Sequence, residues 1–418
     1  MVPPQVEQAK ASEGSTTKAG MTKAGPGSGY PAAAQLGGGA PVAPGARAEA
    51  GGDGAVSKER SDGQPPCSVY AVSDLHTDYP QNMKLLREMP AYPDDAVIAA
   101  GDVSHQLSVM KETLQILKNK FKHVFFCPGN HDLWLHKDDG CKDSFEKFAK
   151  LQALCDELGV HTKPRSVGGG VVVVPLLAWY EPGFDSDPDV KDDSLNPVEK
   201  TMTDFHLCKW PEGYSMSDAS VATYFDKLND QALAAQGTDP VVISFSHFLP
   251  RPELLPEKRY LFYPNLPKAV GSRALRARVA QLRPHCHVFG HSHYGWDGEI
   301  DGVRYLQAAI AYPMERKNRG FALRLREGDS GVVGGEVDGG LTTPVLVYRA
   351  GQNEFPRWSA FWSGYYARYA RRPSDVRWLY RKPRDKTDTG KVLKTLVDAG
   401  KEVEDDVVTE MLLSSAAH

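Results

Sequence analysis

The sequence predicts an α/β sandwich in which helices cover the outer faces of one or two sheets. Two observations predict it. Five short β-rich runs, at 67–74, 96–102, 123–130, 241–247 and 287–291, are apolar almost without a break, the pattern of strands buried on both faces. Between them apolar residues recur at helical spacing, and strand–helix alternation marks helices packed on sheets.

The helices are read from stripes and caps. Leu107, Met110, Leu114 and Leu117 share one face. Residues 143–158 open with a capping-box-like Asp143-x-x-Glu146 and stop at Gly159. Val221, Tyr224, Phe225, Leu228 and Leu233 form a further stripe behind Ser217 and Asp218, a suitable N-cap. The longest apolar run, 171–180, is far short of the ~18–20 residues that cross a bilayer and is expected as a buried strand. Past Tyr312 two strands are expected at 321–326 and 346–349, joined by a Gly-rich connection over 328–340.

The flanks differ from this domain, which spans 67–350. Residues 1–66 hold 13 of the 39 glycines and 8 of the 30 prolines, with one aromatic and one Leu, too little apolar surface to offset the entropy of ordering. A disordered tail is expected. Its six acidic residues argue against an organelle transit peptide without removing that option. Residues 351–418 form an extension with helical character, rich in aromatics (Trp358, Phe361, Trp362, Tyr365, Tyr366, Tyr369) and bases (Arg371, Arg372, Arg377, Arg381). They suit either a nucleic-acid surface or aromatics packed back on the domain, and packing is favoured.

Charge and cysteines narrow the class. With 49 Lys+Arg against 53 Asp+Glu the formal charge is −4, which removes attachment to nucleic acid by bulk positive charge. Six cysteines without a C-x-x-C pair read as reduced thiols. A soluble intracellular protein is expected, cytoplasmic unless the tail directs it elsewhere, with no membrane and no obligate protein partner.

Each of the five runs ends in residues that bind metals. They deliver Asp74-Leu75-His76, Gly101-Asp102, Gly129-Asn130-His131-Asp132, His247 and Gly290-His291-Ser292-His293. In open α/β sheets ligands bind outside the carboxyl ends of strands, so five such ends point to one site. Any one motif is weak; all five in order are not. Two cations about 3.5–4 Å apart need a bridging carboxylate between them, and they activate water and neutralise phosphoryl oxygens. Imidazole and carboxylate without thiolate suit Mn, Fe or Zn.

These motifs, D-x-H, G-D, G-N-H-D, H and G-H-x-H, resemble those of the calcineurin-like metallophosphoesterases from about Val69 to Tyr312. The wider sequence around them is similar to a plant and algal branch of that family. The resemblance implies a four-layer α-β-β-α sandwich and a dinuclear centre of divalent or mixed-valence ions. It places Asp74, His76, Asp102 and His293 on one metal and bridges Asp102 to a second, completed by Asn130, His247 and His291. His131 matches the histidine that contacts the substrate phosphate and protonates the leaving group. Asp132 is better read as a structural residue behind Asn130. Relatives that are protein phosphatases continue G-D with an Asp and an Arg, where this chain has His105 and Gln106. That counts against a protein phosphatase and leaves His131 without its usual carboxylate, a gap that His105 could fill.

Other residues are weighed on chemistry alone. Arg251, Lys258, Arg259 and Lys268 follow His247, and Arg251 and Arg259 are candidates to hold a substrate phosphate. Trp134, Trp179 and Tyr180 could stack on substrate but read better as core aromatics, and Cys286 as a buried thiol. The expected function is metal-dependent hydrolysis of a small phosphomonoester or phosphodiester by an activated hydroxide. The alternatives are a nuclease or cyclic-nucleotide phosphodiesterase, with nucleic acid not favoured, and a non-catalytic interaction module.

Overall fold

A computed structural model describes residues 67–234, 241–327, 336–337, 340–341 and 344–379. The expected tail, most of the Gly-rich connection and the bases from Arg381 onward lie outside them. In chain order the first elements are β1 (Val69–Val72), α1 (Pro80–Glu88), β2 (Tyr92–Ala100), α2 (Leu107–Lys120), β3 (Phe121–Cys127), α3 (Ser144–Leu158), β4 (Arg165–Ser166) and β5 (Val171–Pro175). Then come α4 (Val198–Thr201), α5 (Asp204–Leu207), α6 (Ser220–Ala234), β6 (Val241–Phe245), α7 (Arg273–Leu282), β7 (Cys286–Phe289), β8 (Trp296–Ile300) and β9 (Val303–Gln307). The chain finishes with α8 (Pro313–Leu323), β10 (Leu325–Glu327), β11 (Glu336–Val337), β12 (Gly340–Leu341), β13 (Val345–Tyr348), β14 (Trp358–Ala360) and α9 (Phe361–Arg368).

Local sequence sets the helix ends. Asp143 caps α3 by accepting the Glu146 N–H at 2.9 Å, and Gly159 ends it with φ 66°. Asp218 accepts the Ser220 N–H at 2.7 Å at the start of α6.

Two sheets form. One has the order β13-β1-β2-β3, with β1, β2 and β3 parallel; the other has the order β4-β5-β6-β7-β9-β8, with β5, β6, β7 and β9 parallel. Alternate residues of each strand enter different cores. Val69, Ala71, Ala96, Ile98, Ala100 and Phe125 of the first sheet meet Val171, Val173, Ile243, Phe245 and Val288 of the second. Val72, Val97, Ala99, Val124 and Phe126 point the other way, onto Met110, Leu114 and Leu117 of α2 and Leu151 of α3. Val172, Val174 and Tyr305 pack on Leu275 and Val279 of α7 and on Trp362 of α9. Strands covered on both faces explain the unbroken apolar runs, and each fully buried Val, Ile, Leu or Phe side chain among these contributes about 1.5–3 kcal/mol. The result is a four-layer α-β-β-α sandwich.

The last part of the chain departs from expectation. Phe321 lies in the last turn of α8 rather than opening a strand, followed by the buried Ala322 and Leu323, and the strand begins at Leu325. The strand that follows, β10, pairs with β14, whereas β13 runs antiparallel to β1 in the first sheet, so the two are not a hairpin. The aromatics beyond them pack back on the domain. Trp362 is 1% exposed, Tyr260 and Tyr365 join their hydroxyls at 3.1 Å, and Arg371 lies 4.6 Å over Tyr366. No helix among the described residues is long and apolar enough to cross a membrane.

Candidate metal centre

The carboxyl ends of β1, β2, β3, β6 and β7 converge. Cross-links between their loops hold them there: Asp74 N–H donates to Gly101 O at 3.0 Å, His76 N–H to Asp102 O at 2.9 Å and Gly290 N–H to His247 O at 2.9 Å. The sheets are joined at the same end, where Ser73 N–H donates to Ala308 O and Ile310 N–H to Ser73 O. The backbone is unusual here. Asp74, His76, Asp102, His291 and His293 all have positive φ, between 42° and 72°, a conformation that costs of order 1–3 kcal/mol at a non-glycine residue. The motif glycines give these loops room: a Cβ on Gly129 would lie 2.2 Å from Asp102 Oδ1, and one on Gly101 2.4 Å from His247 Nδ1.

Asp74, His76, Asp102 and His293 bring donor atoms together in one group, and Asp102, His247 and His291 in another. Asp102 belongs to both. Its Oδ1 lies 3.5 Å from His247 Nε2 and its Oδ2 3.9 Å from His76 Nε2. Asn130 joins the second group, with Oδ1 3.1 Å from His247 Nε2 and 2.9 Å from His291 Nδ1. All seven expected ligands therefore meet, and every one except His291 is buried.

The outer atoms of these side chains aim the inner ones. His247 Nδ1 contacts Ala100 O at 3.0 Å, and His291 Nε2 contacts Ala269 O at 2.8 Å. Each carbonyl can accept only from an N–H, so the other ring nitrogen presents a lone pair inward. Glu315 holds His293 Nδ1 at 2.6 Å, and Asp204 accepts the Nδ2–H of Asn130 at 2.8 Å. Asp132 is a clamp between two loops. Its carboxylate accepts the N–H groups of Asp102, Val103, Ser104 and Gly129 at 2.8–3.0 Å, which bears out its structural reading.

Charge at the site calls for a cation. Burial lowers His76 and His247 to about 3 and His291 to about 4, so these rings are neutral. Asp74 stays below the usual carboxylate range: burial pushes it up, but His293, His247 and His76 outweigh that. Burial and then the Asp132 and Asp74 carboxylates push Asp102 well up. His293 moves the opposite way, since Glu315 and Asp74 overcome burial and raise it to about 10. The Nε2 atoms of His76 and His293 face each other at 3.1 Å beside two carboxylates. Two carboxylates and inward-turned imidazole nitrogens at this spacing suit a cation between them. The donor set fits divalent cations, without thiolates that would favour softer ions.

His131 stands at the edge of the cluster with its side chain 12% exposed. Its backbone N–H donates to Asp102 Oδ1 at 2.9 Å, and its ring lies 3.6 Å from that of Trp134. Trp134 Nε1–H in turn donates to Asp204, as does the Tyr180 hydroxyl, so both aromatics belong to the frame of the site. His105 does not fill the gap beside His131. It pairs instead with Asp78 at 3.3 Å, and its ring lies 6.1 Å from that of Trp134. The group that meets His131 Nε2 is the Tyr312 hydroxyl, at 3.0 Å. Burial, then the Asp102 and Glu315 carboxylates, hold this phenol well above its ordinary range, so it keeps its proton.

The cations after His247 are also differently employed. Arg251 is bound by Glu253 at 3.0 Å and Asp301 at 2.6 Å, and Arg259 by Glu257 at 3.2 Å and Asp375 at 2.6 Å. Lys258 contacts Asp185 and Asp189, and Lys268 contacts Asp189. These groups pin loops to the domain and to the extension. Sequence reasoning missed Asp204, Glu315 and Tyr312; the one local signal was Pro313 at a helix start with Glu315 in its first turn.

The chain is similar to known proteins. A 263-residue stretch is 26% identical to the [acyl-carrier-protein] phosphodiesterase PptH of Mycobacterium tuberculosis, covering 60% of this chain and 80% of that protein. The crystal structure of the phosphopantetheinyl hydrolase PptH from the same organism aligns with a TM-score of 0.49 at 26% identity, covering 61% of this chain and 93% of that one. The profile described as calcineurin-like phosphoesterase matches residues 67–295, more than half of the sequence. The chain belongs to the calcineurin-like phosphoesterase family and is a metal-dependent hydrolase of phosphoester bonds.

Proposed function

We propose that the chain is a phosphodiesterase that works through two cations sharing Asp102. Asp74, His76, Asp102 and His293 would hold the first, and Asp102, Asn130, His247 and His291 the second. The observation that carries this is the division of the Asp102 carboxylate, one oxygen toward each group. Cations bound there supply Lewis acidity to the phosphoryl oxygens and lower the pKa of water enough to make it a nucleophile; Mn, Fe or Zn suits the donors.

The chain's own residues do the rest. His131 faces the substrate side and donates a proton to the leaving oxygen. Burial and then His76, His293 and His105 hold its proton affinity well below the ordinary value. Asp204 and Glu315 keep Asn130 and His293 turned inward while charge at the centre changes.

The phosphopantetheinyl diester of an acyl carrier protein is the proposed substrate class, on the likeness to PptH. Manganese-loaded protein assayed on p-nitrophenyl phosphate, bis-p-nitrophenyl phosphate and a phosphopantetheinylated carrier protein tests both parts. Release from the diesters and the carrier protein is expected. Hydrolysis of the monoester alone overturns the diesterase reading, and hydrolysis of none overturns the function.

A further inference from the structure

The segment Tyr312-Pro313-Met314-Glu315 lies beyond the residues matched by the family profile, yet both its ends touch the centre. Glu315 holds His293, and Tyr312 N–H donates to the same Glu315 carboxylate at 3.2 Å. Tyr312 is thereby fixed from the backbone side. Its ring is fixed too, 4.3 Å from His76, 5.1 Å from His293 and 5.5 Å from Tyr79. A phenol held by four partners has one place for its hydroxyl, and that place is 3.0 Å from His131 Nε2. This nitrogen is also the one that looks toward the shared carboxylate, 3.9 Å from Asp102 Oδ2.

We propose that Tyr312 is the positioning residue for His131, its hydroxyl steering Nε2 onto the leaving oxygen in a chain where the G-D motif offers no carboxylate for that histidine. The proposal rests on the role given to His131 above. Three restraints then fix the imidazole: the Trp134 ring on its face, the Asp102 carboxylate on its backbone and the Tyr312 hydroxyl at its reacting nitrogen.

The step balances. Water forms the new P–O bond, and the ester P–O bond breaks with its electron pair left on the departing oxygen. That oxygen takes the proton from His131 Nε2. The Tyr312 hydroxyl donates a hydrogen bond to the nitrogen so exposed, until the proton released by the attacking water returns to it. The sum is diester plus water to monoester plus alcohol.

A positioning role through His131 has a distinctive signature. p-Nitrophenolate leaves without help, whereas phenolate needs its proton. Tyr312→Phe should hydrolyse methyl p-nitrophenyl phosphate within about twofold of wild type and methyl phenyl phosphate about tenfold more slowly. His131→Ala should show the same trend more steeply, and the double variant should be no slower than His131→Ala. In zinc-loaded protein the ring ¹⁵N shift of His131 should move on Tyr312→Phe with the zinc content unchanged. Equal losses on both esters, no loss on either, additive losses in the double variant or an unmoved ¹⁵N shift overturns the proposal. Should wild type hydrolyse neither ester, the phosphoesterase reading is what fails, and the ¹⁵N shift alone decides the contact.

Discussion

Asp204 accepts the Nδ2–H of Asn130 at 2.8 Å and thereby decides which end of that amide looks into the centre. Without the carboxylate the amide is free to present N–H groups, which repel a cation. Asp204→Ala is expected to weaken the second cation by about 10–100-fold and leave the first unchanged. Metal content after dialysis against graded chelator checks this; two ions held at wild-type affinity would count against it.

Asp102 and His131 separate binding from chemistry. Asp102→Asn should abolish turnover and lower the cation count, because it removes charge from both groups. His131→Ala should slow an alkyl diester by about 10²–10⁴-fold with the count intact. Elemental analysis beside kinetics distinguishes them, and two ions retained in Asp102→Asn would contradict the shared role.

The four amides gathered by Asp132 make it a stability residue. Asparagine would turn its own N–H groups toward donors, so Asp132→Asn should cost about 3 kcal/mol. Thermal melting should fall by roughly 6–12 °C, at about 2–4 °C per kcal/mol for a domain of this size.

Acid should unfold the protein through its buried neutral histidines. His287, bonded to Ser244 Oγ at 2.8 Å and Ser246 Oγ at 3.0 Å, is lowered by burial to about 3. The unfolded ring titrates near 6.5. Its contribution is therefore fully present above about 6.5 and is lost as pH falls from there toward 3, where only the unfolded state takes up the proton. His287→Gln should flatten the dependence of urea midpoints on pH between about 6 and 4. An unchanged slope would remove His287 from the acid response.

The candidate centre was largely legible because the residues that would hold its cations sit in short motifs directly after strands, where Asp74-x-His76 or Gly290-His291-x-His293 can be read locally. Their orienting partners were not. Asp204 is 74 residues from Asn130 and Glu315 is 22 from His293, and neither stands in a pattern that links them. The charges of Arg251 and Arg259 were visible, and each has a carboxylate two residues away, Glu253 and Glu257, but the partners that complete each pair, Asp301 and Asp375, are far away in sequence. For the same reason β13 was seen as a strand while its partner, β1 at the other end of the domain, was not.

The left-handed backbone at five of the candidate liganding positions has a consequence for ion choice. Such a conformation persists only where the surroundings hold it, and here the cross-links between the loops, Asp74 N–H to Gly101 O and His76 N–H to Asp102 O, also fix where the donor atoms stand. Discrimination then also follows from donor type. Calcium, which takes about six to eight oxygen ligands, is poorly matched by a group that offers four imidazoles.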